Sequence, residues 1–181
     1  GHHTTLQHAS FQFTLDHVSR QFLWSFLHSH PYYNSEQVSQ RYVAVKPDWV
    51  AVPPLEGRAL SVYQETVSRQ VEDYERLVEL LLPRVLSEYQ KRFPARKAEN
   101  KAAQSAARKK AQEIARYVLP VATFACLYHT VNGLTLLRYH RLCEYFDAPS
   151  EQRLVVELMV RELLRHDPNY QSILEEPLPL E

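Results

Sequence analysis

Ala115-Arg116-Tyr117-Val118-Leu119-Pro120, followed after eleven residues by Asn132, marks where a helix gives way to a strand. Pro120 has no backbone N–H, so it ends the helix that precedes it. Beyond it, residues 121–131 hold the β-prone Phe124, Tyr128, Thr130 and Val131 and read as a strand. Downstream, residues 134–146 and 152–164 read as two helices separated at Pro149. Upstream, residues 96–110 are rich in Lys, Arg, Ala and Gln, and a solvated helix face suits them better than a phosphate-binding surface. Earlier still, Leu60, Tyr63, Val67, Val71, Tyr74, Leu77, Leu81 and Val85 recur every three or four residues. That spacing predicts the core-facing stripe of one long helix over residues 55–93, broken at Pro94 and Ala95.

Toward the start, Phe11-Gln12-Phe13-Thr14-Leu15 alternates apolar and polar, the mark of a half-buried strand. Asp16 sits where it would cap a helix whose apolar face is Val18, Phe22, Leu23, Phe26 and Leu27, and Pro31 stops that helix. Residues 29–42 are polar, aromatic and loop-like, the kind of segment that carries binding groups. Pro47, Pro53 and Pro54 break the backbone before the long helix, and Glu176-Pro177-Leu178-Pro179 reads as an unstructured end. Strands mixed with long helices, without strict β-α alternation, give an α+β domain over residues 1–170 with a tail at 171–181.

Composition sets the outer bounds. A chain of 181 residues, 45% hydrophobic and 23% charged, can bury one sizeable core. Its 21 basic residues balance 21 acidic ones, so no net field favours nucleic acid or an anionic membrane. No apolar run approaches the roughly twenty residues of a membrane span. Three glycines in this length disfavour Gly-rich phosphate loops, and the two cysteines, Cys126 and Cys143, fit a reducing cytoplasm.

The run from Ala115 to Asn132, taken with Ser39-Gln40-Arg41-Tyr42, resembles the signature regions of the flavin-dependent thymidylate synthases. In that family an Ala-Arg-x-Val-Leu-Pro run leads to Thr-Val-Asn, and an upstream Arg-His-Arg loop closes on Ser-x-Arg-Tyr. The opening pattern, Gly-His-x-Ser/Thr and then Glu-His, is matched by Gly1, His2, Thr4 and His8, with Gln7 at the Glu position. The likeness runs from Gly1 to about Leu164. It implies a small antiparallel sheet packed with long helices, a homotetramer, and transfer of a methylene from methylenetetrahydrofolate to C5 of dUMP, with hydride from FAD reduced by NADPH. It further implies flavin contacts from His2, Thr4, Gln7, His30 and Asn132, and nucleotide contacts from Gln37, Ser39, Arg41 and Arg116. The chain opens at Gly1 without an initiator Met, and the family's strand-containing opening segment is not in it, so the expectation is a fragment or one half of a duplicated chain.

The same likeness locates substitutions. Aligned on Ser39 to Tyr42, the family's Arg-His-Arg falls on Ser29-His30-Pro31, which keeps the imidazole and replaces both guanidiniums. Asn34 stands for a Ser, and Gln37 for a carboxylate, with Glu36 adjacent. Cys143 takes the place of an Arg that pairs with the pyrimidine, and Asp147 that of a flavin-stacking His. Arg138 and Arg141 are the nearby cations, yet helical steps of about 100° turn Arg141 to another face from Cys143. The resemblance therefore implies a retained frame and impaired catalysis as the alternative to full activity, and no catalytic residue is assigned.

Other groups have ordinary readings. His2, His3, His8, His28 and His30 show no diagnostic metal spacing, so no metal is assigned. Cys143 beside Glu144 lacks a base in sequence and reads as a half-buried helix cysteine rather than a nucleophile. Tyr32 and Tyr33 suit stacking on a flavin and loop packing equally, and Tyr139-His140-Arg141 reads as an exposed helical turn.

Overall fold

The computed structural model describes residues 3–29, 33–39, 45, 48–94 and 100–174, with the side chains of His3 and Thr4 excepted. The chain divides into two compact units, Gly1–Gln37 with Ala125–Glu181, and Val38–Phe124.

In the discontinuous unit, a 3-10 turn (His3–Gln7) leads to β1 (Ser10–Ser19) and then α1 (Arg20–Ser29). β2 (Tyr33–Gln37) follows, and the chain returns much later as β3 (Phe124–Asn132), α4 (Gly133–Tyr145), α5 (Ser150–His166) and a final 3-10 segment (Pro168–Ile173). The three strands form an antiparallel sheet in the order β1-β3-β2, with Tyr33 opposite Val131 and Gln37 opposite Leu127. β3 alternates along its length, burying Ala125, Leu127, His129 and Val131. Those side chains meet Phe22 and Phe26 of α1, Leu136 and Tyr139 of α4, and Val156, Met159 and Leu163 of α5 in one core. Phe26 is central: its ring lies 4.7 Å from both Phe22 and His129, and 5.3 Å from Tyr139.

The continuous unit is built on α2 (Gly57–Arg92) and α3 (Lys101–Ala115). α2 buries Val67, Val71, Tyr74 and Val78, while α3 presents Ala103, Ala107, Ala111 and Ala115, all at or near zero exposure. An alanine every fourth residue leaves no side-chain bulk between the helices, so α3 packs through its backbone surface on α2. Asn100 caps α3 by accepting from Ala102 N at 2.8 Å.

Three local expectations change. Asp16 caps nothing; it lies within β1, and Ser19 caps α1 by accepting from Phe22 N at 2.9 Å. The polar stretch after α1 contains a strand, β2, because β3 offers it a ladder. The basic segment is no wholly solvated face, since its alanines form a buried stripe. The 36-residue α2 carries Pro83 inside it, within the span expected for the long helix. The C-terminal tail from 175 lies outside the described residues.

Candidate functional site

α4 separates two concavities of opposite chemistry, both inside the discontinuous unit. Asn132 starts the helix, its Oδ1 accepting from Thr135 N at 2.8 Å. Gly133 follows where space is scarce: a Cβ there would stand 2.3 Å from Tyr170 Cε1. From this start, residues 139, 142, 143 and 146 share one side of the helix and residues 134, 137, 138 and 141 the other, as 3.6 residues per turn requires.

On the first side is a cavity of about 300 Å³, lined among others by Ser25, Ser29, Tyr139, Asp147, Gln152 and the exposed Phe146. Gln152 is 4% exposed; its Nε2 donates to Ser29 Oγ at 3.4 Å and contacts Cys143 Sγ at 3.7 Å. Its Oε1 is buried with no hydrogen-bond partner among the described residues. The Ser29 hydroxyl donates to Ser25 O. Burial pushes the Tyr139 hydroxyl far above the usual phenol range, against a smaller opposing hydrogen bond with Ser29. Burial likewise raises the Cys143 thiol, with Gln152 and the Arg153 charge opposing it. Arg153 braces the rim, Nη2 donating to Phe146 O at 2.9 Å and Nε to Ala148 O at 3.1 Å.

On the other side a smaller groove, about 150 Å³, is lined by Arg138, His140 and Arg141 with Leu134, Ile173 and Leu174. Arg141 lies over the Tyr145 ring, 5.7 Å from guanidinium carbon to centroid, and His140 Nδ1 is 3.9 Å from Glu144 Oε2. Neither arginine lines the 300 Å³ cavity.

The residues singled out from sequence are distributed as follows. His2, His30, Pro31, Tyr32 and Arg41 lie outside the described residues. Thr4 and Gln7 belong to the first 3-10 turn, where Gln7 is exposed. Gln37, at the end of β2, accepts from Arg20 Nη1 at 3.1 Å. In the other unit, Ser39 is partly buried and the Arg116 guanidinium stacks on its neighbour Tyr117 at 5.5 Å. Tyr33 packs rather than presenting its ring, donating to Leu27 O at 2.6 Å and lying 5.1 Å from His129.

Two readings are corrected by burial. Tyr139 is 1% exposed and belongs to the core, not to an exposed turn, and Cys143 is buried, at 3% exposure, not half-buried. His28 is held by stacking on Trp24 at 4.4 Å and by Trp24 O at 2.7 Å from its Nδ1. Among the described residues no three His, Cys, Asp or Glu side chains cluster in a way that could hold a metal ion. Among them, too, no helix is long and apolar enough to cross a membrane. Gln152 and Ser25 escaped the sequence reading. The signal for Gln152 was its helical spacing with Val155, Val156 and Met159, which puts an amide on an otherwise apolar stripe.

Comparison with known proteins gives two matches. Residues 1–169 match the family described as thymidylate synthase complementing protein. The chain is also similar to the flavin-dependent thymidylate synthase of Clostridium tetani (strain Massachusetts / E88), 30% identical over 174 residues. That alignment takes in 93% of this chain but only 64% of the relative's length.

Proposed function

The chain belongs to the thymidylate synthase complementing protein family, and on that premise we propose that it is a catalytically impaired copy of the flavin-dependent fold, binding a nucleotide or flavin without turning it over alone. One observation carries this reading. Ser29, Cys143 and Asp147, the positions where the family resemblance expects two guanidiniums and an imidazole, gather about one cavity: Ser29 and Asp147 line it, and Gln152 joins Ser29 to Cys143. The losses are therefore a single change of chemistry at one place.

The consequences follow from charge. FAD, when bound, supplies the hydride of the family reaction, and the protein supplies binding and electrostatics. Preorganised cations or donors at the point where charge develops are worth about 10²–10³ in rate each. Among the described residues the polar side chains lining this cavity are hydroxyls, an amide and one carboxylate, with the Cys143 thiol buried behind Gln152, and these do not fit that task. The groove on the opposite side of α4 fits a phosphate better, because Arg138 and Arg141 offer guanidinium donors there. Arg116, Ser39 and Arg41 are proposed to hold the nucleotide phosphate, and a homotetrameric assembly is proposed to bring arginines from another subunit to the site. A cytoplasmic setting suits the two free thiols, Cys126 and Cys143.

Tritium release from [5-³H]dUMP with methylenetetrahydrofolate, NADPH and added FAD tests the proposal, with release at background expected. Turnover at a rate ordinary for the family, abolished by Arg116→Ala, would instead establish methylation of dUMP to dTMP by this chain. That second reading draws on Arg116, whose partly exposed guanidinium remains available on the Tyr117 ring. Visible absorbance of the purified protein separates flavin binding from turnover.

A further inference from the structure

We propose that the 300 Å³ cavity beside α4 takes a small planar cation, of the amidinium or protonated amino-heterocycle class, and rejects anions of the same shape. The inference rests on the reading of the site given above, and deepens it by naming what the altered cavity accepts. Its polar lining is acceptor-biased: among the described residues the Gln152 Oε1 is buried and unpartnered, and Asp147 is the one charged side chain lining the space. Most described donors nearby are already engaged, the Ser25 hydroxyl with Phe22 O and the Tyr139 hydroxyl with Ser29 among them. Gln152 Nε2 serves Ser29 and Cys143, the Ser29 hydroxyl serves Ser25 O, and Arg153 spends Nε and Nη2 on the Ala148 and Phe146 carbonyls. A buried carbonyl oxygen without a donor is costly, and a ligand N–H relieves that cost. Leu142, Phe146 and Pro149 supply apolar surface beside these acceptors, suited to the face of a flat ring. An incoming carboxylate or phosphate would meet Asp147 and the Gln152 oxygen, with no cation among the described lining residues to offset them.

Benzamidine and benzoate share shape and differ in charge, so titrating the full chain with each by calorimetry at low salt is the test. Saturable benzamidine binding is expected, with benzoate binding at least ten-fold weaker. Asp147→Asn, at an exposed position, should weaken benzamidine about five-fold, the range of a solvent-facing ion pair. Gln152→Met should weaken it about ten-fold through the lost buried acceptor. If that variant does not fold, Asp147→Asn and the benzoate control still decide. Absence of benzamidine binding, benzoate binding as tight as benzamidine, or unchanged affinity in folded Asp147→Asn would each overturn the proposal. Because the titration requires no turnover, dTMP formation by the same preparation would sink the impaired-copy reading while leaving this result standing.

Discussion

The two sides of α4 start from the same helix and reach opposite chemistry. One side places Tyr139 and Cys143 under a cavity whose charged lining residue is Asp147; the other places Arg138 and Arg141 along a groove. Cations are thus present on α4, but one helical face away from the positions at which the family resemblance expects them. Proximity in sequence, two residues from Arg141 to Cys143, does not give proximity in function when each residue turns the helix by about 100°. Compensation within this chain would therefore need a rotated helix, whereas compensation from another subunit would not.

Putting the expected cation back on the cavity side should have the largest effect. Cys143→Arg should destabilise the fold by about 3–5 kcal/mol, because position 143 is buried and offers no carboxylate partner in the cavity except the exposed Asp147. A chemical-denaturation midpoint measures this, and a variant as stable as the parent would show that the cavity still accommodates a guanidinium. Gly133→Ala comes next, at about 1–3 kcal/mol, since the new methyl would overlap the buried Tyr170 ring. Asn132→Ala should cost about 1 kcal/mol through the lost cap, read as a lowered Tm, and a larger drop would point to a role beyond capping.

A pH series sharpens the contrast further. Burial raises both Cys143 and Tyr139 in the folded state, so each contributes stability that is fully present below its unfolded pKa and is lost as pH rises toward its folded value. Stability should therefore decline above pH 9.0, the ordinary thiol value, and Cys143→Ala should flatten the first part of that decline. The smallest effect is expected on the groove side. Arg138→Ala should change stability by less than about 0.5 kcal/mol, as exposed substitutions do, while weakening pyrophosphate binding measured by calorimetry.

Much of the fold was legible because period and punctuation agreed. The long helix, the strand after Pro120 and the two helices either side of Pro149 all appear, within a few residues of the expected limits. β2 was not legible, since Tyr33-Asn34-Ser35-Glu36-Gln37 has little strand propensity and pairs because β3 is beside it. The same blindness hid Gln152, whose meaning depends on Ser29 and Cys143, distant in sequence and joined only by packing. Motif positions gave the places where the family resemblance expects other groups; the fold brings Ser29 and Asp147 to one cavity and joins Ser29 to Cys143 through Gln152.

The Ser19–Glu151 contact carries a consequence for synthesis on the ribosome. Ser19 N donates to Glu151 Oε1 at 2.7 Å and the Ser19 hydroxyl to Oε2, across a separation of 132 residues. One carboxylate thereby lies at the positive ends of α1 and α5 alike. Neither helix start is complete until the second has been translated, although residues 38–124 in between form a continuous unit of their own. Folding should then run out of order with the sequence. The middle of the chain has its local contacts as soon as it emerges, and the early strand and helix wait, apolar faces uncovered, for the last third to arrive.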